Sequence, residues 1–269
     1  MPTNRRRSRR PRSAGCLGLV VGLLVIYYGV QVIIRTPALG PFEVIAHRGG
    51  AHSAPENTLA AFKNAIALGA DRLEFDVQVT KDGALVVIHD ETLDRTTNGA
   101  GPINGLTLTE IEALDAGQGE RIPTFDEVIE LAKGAGIDIF PEAKSAHLYP
   151  GIEEKMLAAL GQSGYLDHTV IQSFEADSLN RFHQLNPQAK LCALYGLWKL
   201  SVSNPPGGAQ AVCPAAEMVL LNPGMIRQAH LEGRQVFVWY LAAENPQLTK
   251  VMRFFGADGV IVNDPAAAK

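Results

Sequence analysis

Residues 72–79 read Arg72-Leu73-Glu74-Phe75-Asp76-Val77-Gln78-Val79. In an extended chain Leu73, Phe75 and Val77 point to one side and Glu74 and Asp76 to the other. In a closed barrel the apolar set meets the surrounding helices and both carboxylates look inward. Working outward, similar short apolar runs recur at Phe42–Ala46, Leu85–His89, Ile137–Phe140, Thr169–Gln172, Leu191–Tyr195, Met218–Leu221, Val236–Leu241 and Gly259–Val262. Between most of them lie helical patterns, among them Thr58–Leu68, Thr124–Lys133, Ile152–Leu160, Ala176–Leu185, Met225–Glu232 and Pro246–Phe255. Strands apolar on both faces and alternating with helices predict a parallel sheet covered by helices.

Positions 42–269 hold some eight such units, which fits an α/β chain folded as a (β/α)8 TIM barrel of about 250 residues. A doubly wound open sheet is the alternative, but no Gly-x-Gly-x-x-Gly turn follows the first strand. The segment Lys81–Pro123 breaks the alternation and predicts a small insertion after the second strand, with a loop at Arg95–Gly99 and a short helix near Thr109–Leu114.

The chain has 269 residues, 46% apolar and 19% charged, with 26 Gly and 16 Pro, a composition that excludes collagen-like and disordered classes. Seven of the 24 Lys and Arg residues fall in the first 35 positions, where no acid occurs. The remainder therefore carries 17 cations against 28 anions, which argues against a nucleic-acid partner. Arg5, Arg6, Arg7, Arg9, Arg10 and Arg12 precede an uncharged run, residues 13–34. At about 1.5 Å per residue that run spans a hydrocarbon core of roughly 30 Å. A cleaved signal peptide is the competing reading, but the run ends in Val32-Ile33-Ile34-Arg35 and not in small residues. The expected organisation is a basic cytoplasmic tail (1–12), a transmembrane anchor (13–34), a linker (35–41) and a barrel domain (42–269) outside the cytoplasm. Cys192 and Cys213 are read as free thiols.

Ionisable residues gather at predicted strand ends. His47-Arg48-Gly49 follows the first strand, His89-Asp90 ends the Leu85 run, and Glu142 and Lys144 follow Ile137–Phe140. Two inward carboxylates need a cation or protons; pairing with Arg48, Lys144 or Arg95 in a structural ion network is the plainer account. Adding Glu142 makes an oxygen-only set that suits Mg²⁺ or Ca²⁺ better than zinc. His47 or His89 alone reads as structural; beside these carboxylates they read as an acid–base pair. Arg48 and Lys144 would hold a phosphoryl group.

Taken in order, His47-Arg48-Gly49, Pro55-Glu56-Asn57-Thr58, Glu74-Phe75-Asp76-Val77, Thr80-Lys81-Asp82-Gly83, His89-Asp90 and Arg95-Thr96-Thr97 resemble the glycerophosphodiester phosphodiesterases. So do Pro123-Thr124-Phe125, Glu142-Ala143-Lys144, Gln172-Ser173-Phe174 and Gly256-Ala257-Asp258-Gly259-Val260-Ile261. The resemblance covers nearly all of positions 42–265. It implies a divalent metal at Glu74, Asp76 and Glu142, catalysis by His47 and His89, and release of glycerol 3-phosphate and an alcohol. Glu56 orients Arg48, touches the metal shell, or caps the helix after it. Two stretches depart from the family pattern, Trp239-Tyr240-Leu241-Ala242 and Val262-Asn263-Asp264-Pro265. Trp239 is either a core aromatic or a substrate-lining residue. Alternative activities are a phospholipase D-like or phosphoinositide-cleaving barrel acting on lysophospholipid at the membrane, and an inactive tethered binding module.

Overall fold

The computed structural model describes residues 13–242 and 244–269, residues 13–16 by their backbone alone. The arginine cluster from Arg5 to Arg12 lies outside the described residues. The chain divides into two units between Arg35 and Thr36. Among its described residues the first contains one helix, α1 (Ser13–Ile34), whose Leu17–Ile34 stretch is long and apolar enough to be a membrane span or a signal sequence.

Among the described residues the second unit holds nine strands: β1 (Glu43–Ala46), β2 (Arg72–Val79), β3 (Leu85–Val87), β4 (Asp138–Ala143), β5 (Val170–Ser173), β6 (Lys190–Tyr195), β7 (Ala211–Pro214), β8 (Gln235–Trp239) and β9 (Gly259–Val262). All but β3 pair in parallel, in the order β1-β9-β8-β7-β6-β5-β4-β2. β2 then pairs back onto β1 through Ile45↔Arg72 and Ala46↔Leu73. That last pairing closes an eight-stranded barrel and excludes the open sheet. The helices are α2 (Leu59–Ala67), α3 (Leu108–Glu112), α4 (Phe125–Ala135), α5 (Ile152–Ser163), α6 (Ala176–Leu185), α7 (Ala216–Leu221), α8 (Gly224–Leu231), α9 (Pro246–Phe255) and α10 (Pro265–Ala268). Their starts follow local chemistry. Thr124 and Glu127 form a reciprocal capping box on α4, and Thr58 accepts the Ala61 N–H at the start of α2.

Two cores follow from the alternation of strand side chains. Leu73, Phe75 and Val77 pack outward with Phe62, Phe125 and other helix residues. Ile45, Phe140, Leu194 and Phe237 fill the barrel interior. At the N-terminal end of the strands Arg72 Nε donates to Glu43 Oε2 (2.5 Å), and its guanidinium lies 5.5 Å from the Phe237 ring. These groups plug the barrel floor, so the catalytic candidates at the C-terminal strand ends sit at the open mouth. The insertion, including β3 and α3, extends from the end of β2 as expected; β3 runs antiparallel to β2.

Three expectations are corrected. Met218–Leu221 lies in α7, and the strand at this place in the barrel is Ala211–Pro214. A four-residue apolar run cannot distinguish strand from helix, whereas Ala211-Val212-Cys213-Pro214 is short, small and proline-ended. Strand β4 continues through Pro141 to Ala143, so Glu142 lies within the strand and not after it. Finally, Cys192 and Cys213 form a disulfide instead of standing free. In the β6–β7 register Cys192 faces Ala211 and Cys213 faces Leu194, which puts both sulfurs inside the barrel with Cα atoms 6.4 Å apart. Both residues are fully buried.

Closing a loop of this length by a cross-link stabilises a fold by about 2–4 kcal/mol. Replacing both cysteines with alanine is expected to lower denaturant stability by that amount. Denatured, unreduced protein should resist alkylation at both positions; ready labelling would show that the bridge is absent.

Candidate active site

The site begins with the turn after β1. Arg48 adopts a left-handed conformation (φ 51°), followed by Gly49 at φ 80°. A Cβ on Gly49 would lie 2.7 Å from the Phe62 ring and 2.9 Å from Ala61, so only glycine lets α2 pack here. The turn aims the Arg48 peptide N–H at Glu74 Oε2 (2.8 Å). It also sets His47 beside Asn263, with Nδ1 2.9 Å from Oδ1. An amide oxygen only accepts, so Nδ1 carries the proton and Nε2 is left without it.

Strand register assembles the carboxylates. Asp76 lies opposite Glu142, and Glu142 opposite Gln172, across β2, β4 and β5. Glu74 is one inward position below Asp76. Ligand oxygens of Glu74, Asp76 and Glu142 all lie within 4.8 Å of one another, and all three residues are buried. Gln172 Nε2 donates to Glu74 Oε1 (2.9 Å), and Asn57 Nδ2 to Asp76 Oδ2 (3.0 Å). Lys144 Nζ stands 3.3 Å from Glu142 Oε1 and 3.5 Å from Asp76 Oδ1; Arg48 Nε is 3.6 Å from Asp76 Oδ2.

These cations do not neutralise the trio. Burial, reinforced by the Asp76 charge, pushes the Glu74 carboxyl well above the usual carboxylate range. Burial also pushes Glu142 up to about 8 against the pull of Lys144. Burial acts upward on Asp76 too, but Lys144, His89 and Arg48 together hold it below its ordinary value. His47 is driven down to about 4 by burial and then by the Arg48 charge, so its imidazole is neutral at physiological pH. Arg48 Nε and Gln172 Oε1 are buried polar atoms without a hydrogen-bond partner, both beside the carboxylates. An all-oxygen donor set holding protons for want of positive charge, with unmet polar atoms at its edge, fits a hard divalent cation.

The structure brings His47, Arg48, Glu74, Asp76, His89, Glu142, Lys144 and Trp239 to one cavity of about 410 Å³. Glu56 stands behind it, accepting from Arg48 Nη1 (2.9 Å). The cap at the start of α2 is Thr58, so helix capping is not its part. Trp239 donates its indole N–H to the Tyr195 and Cys213 carbonyls and meets Phe174 edge to face at 5.6 Å. It is thus half core and half cavity wall. Sequence reasoning did not assign Asn57, Gln172 or Asn263 to the site. Gln172 lay within a quoted motif, and its place at the end of an inward-facing strand was the available signal. Away from this cavity, His147, His168 and His230 stand 2.9 Å from carboxylate oxygens of Glu175, Asp138 and Asp258.

The sequence profile of the Glycerophosphoryl diester phosphodiesterase family matches residues 47–267. A glycerophosphodiester phosphodiesterase of Caldanaerobacter subterraneus is 40% identical over 235 residues, covering 82% of this chain and 94% of that protein. The crystal structure of a glycerophosphodiester phosphodiesterase from Agrobacterium tumefaciens superposes with a TM-score of 0.75 at 29% identity, covering 84% of this chain and 98% of that one. An Oleispira antarctica phosphodiesterase, solved in complex with the product sn-glycerol-3-phosphate, superposes with a TM-score of 0.72 at 26% identity, covering 84% and 94% of the two chains.

The raised carboxyls generate a stability prediction. A group with a raised folded value binds a proton that the unfolded chain has already released, so its contribution is full below the ordinary value of 4.5. That contribution is lost as pH rises through about 8. In chelator, the barrel should melt progressively lower across that window. Millimolar Mg²⁺ or Ca²⁺ should restore the melting temperature at the alkaline end, and Asp76→Asn should abolish the restoration. A melting curve indifferent to cations there would contradict the site.

Proposed function

The chain belongs to the glycerophosphodiester phosphodiesterase family and hydrolyses glycerophosphodiesters, and from that premise we propose a metal-dependent mechanism in which His47 and His89 exchange protons with substrate. The observation that carries it is the single cavity into which two imidazoles, three buried carboxylates and two cationic side chains converge. Glu74, Asp76 and Glu142 would hold the cation, Mg²⁺ or Ca²⁺. When bound it supplies Lewis-acid polarisation of a phosphoryl oxygen.

The chain's own groups do the rest. Arg48 and Lys144 offset the phosphodiester charge, with Glu56 steadying the Arg48 guanidinium. One imidazole takes the proton of the attacking oxygen while a new O–P bond forms. The other gives a proton to the departing alkoxide as the old P–O bond breaks. The net change adds one water and yields glycerol 3-phosphate and an alcohol. Proton transfers of this kind contribute about 10²–10⁴-fold.

The cavity lining also has an apolar part, Phe174, Leu194, Trp239, Leu241 and Ile261, with Phe174 and Leu241 about half exposed. That apolar lining favours, as a second reading, a lysophospholipid whose alcohol side is greasy. In our reading α1 is an uncleaved anchor after a cytoplasmic tail (1–12), and a linker (35–41) leads to a barrel domain (42–269) outside the cytoplasm. Two features support this: the arginines preceding the apolar run and the buried disulfide, a bond that persists in oxidising compartments.

Purified protein should release glycerol 3-phosphate from glycerophosphocholine, lose that activity in chelator and regain it with divalent cation. His47→Ala and His89→Ala should each reduce kcat by about 10²-fold or more. Unchanged turnover in either variant would remove that histidine from the mechanism. A preference for lysophosphatidylcholine over glycerophosphocholine would favour the second reading.

A further inference from the structure

The insertion between β2 and α4 has a small core of its own, with Val86, Leu93, Ile103, Ile111 and Ile122 buried together. Its backbone is stitched across the loop. The Leu93 N–H donates to the Gly101 carbonyl (3.0 Å), Ile103 to Glu91 (3.1 Å) and Thr97 to Leu93 (3.1 Å). Arg95 projects from this rigid mount toward the barrel mouth, where its guanidinium grips two carboxylates. Nε and Nη2 donate to Asp90 Oδ2 and Oδ1 (2.6 and 2.9 Å). Nη1 and Nη2 donate to Glu56 Oε2 and Oε1 (2.9 and 2.7 Å). Each carboxylate is already engaged with a cavity residue. Glu56 Oε1 accepts from Arg48 Nη1 (2.9 Å), and Asp90 Oδ1 lies 2.6 Å from His89 Nδ1. A single guanidinium therefore completes an unbroken run of contacts from Arg48 to His89.

Exposed ion pairs usually contribute little, and the Arg95 side chain is 48% exposed. Two features set this one apart. Both grips are bidentate, which the planar guanidinium fork matches and an ammonium cannot. Both carboxylates also pass the constraint onward to side chains facing the substrate cavity. With a carboxylate accepting from Nδ1–H, the His89 ring is held in one orientation and Nε2 is the nitrogen that carries the transferred proton.

We propose that Arg95 is a positioning residue: through Asp90 it fixes the ring of His89, and through Glu56 it fixes the guanidinium of Arg48. This rests on the reading of the cavity as the hydrolytic site. Arg95 thus supplies the clamp that holds a proton-transfer group and a phosphate-binding group in register.

The test uses the full chain, glycerophosphocholine as substrate, and NMR of the imidazole N–H groups. Arg95→Met should lower kcat by about 10–100-fold, the usual cost of losing a group that orients an active-site residue, with a smaller change in KM. Arg95→Lys should recover only part of the loss. Asp90→Asn combined with Arg95→Met should cost less than the product of the two single losses, because the two substitutions share the branch that ends on His89. The His89 Nδ1–H signal should move in Arg95→Met, while that of His47, held by Asn263, should not. Wild-type kcat in Arg95→Met with an unmoved His89 signal would overturn the proposal and leave Arg95 as a loop fastener. An inactive wild-type chain would instead refute the hydrolase reading, and the His89 signal would still decide whether Arg95 holds that ring.

Discussion

Three carboxylates sharing a space less than 5 Å across, all out of water, cannot all stay ionised unaided. Lys144 and Arg48 offset part of the charge, and their pull settles on Asp76, the central member. Glu74 and Glu142 are left holding protons at pH values where an ordinary carboxyl has lost them. The neighbouring groups are disposed to supply positive edges. The Arg48 peptide N–H, the Gln172 amide and the Asn57 amide each donate into the trio. The mouth of the barrel is organised around this shortage of positive charge, which a bound cation would relieve.

The closed ring of strands is what makes such a concentration of charge possible. Register alone sets Asp76 beside Glu142, and closure of β2 onto β1 carries the His47–Arg48 turn to the same place. Opposite requirements apply at the two ends. The floor is sealed by the Arg72–Glu43 pair against Phe140 and Phe237, while the mouth is left open and polar. The β6–β7 disulfide fastens the stretch where, among the described residues, the connection contains only a short 3-10 turn (Pro206–Gly208) and no α-helix.

Much of this was legible in the sequence because it follows period and position. The alternation through Leu73–Val77 fixed which side chains face inward, and the placement of His47 and His89 at strand ends followed from the runs before them. The family resemblance then named a metal trio that the strand register does bring together. What stayed hidden depended on contacts between distant segments. Cys192 and Cys213 meet only through the β6–β7 register. Asn263 reaches His47 across the β1–β9 seam, and Arg95 reaches Glu56 only after the insertion folds over the mouth. Two local misreadings had local causes: the apolar run at Met218–Leu221 carries no periodicity to mark it as helix, and Pro141 masked the continuation of β4.

Diffraction from a crystal soaked in Mn²⁺, with the anomalous signal used to locate the ion, tests the central claim most directly. A single site per chain, coordinated by oxygens of Glu74, Asp76 and Glu142 and lying at the end of the barrel that holds His47 and His89, is the expected result. An ion bound elsewhere with these three carboxylates empty, or none bound at saturating Mn²⁺, would contradict the account.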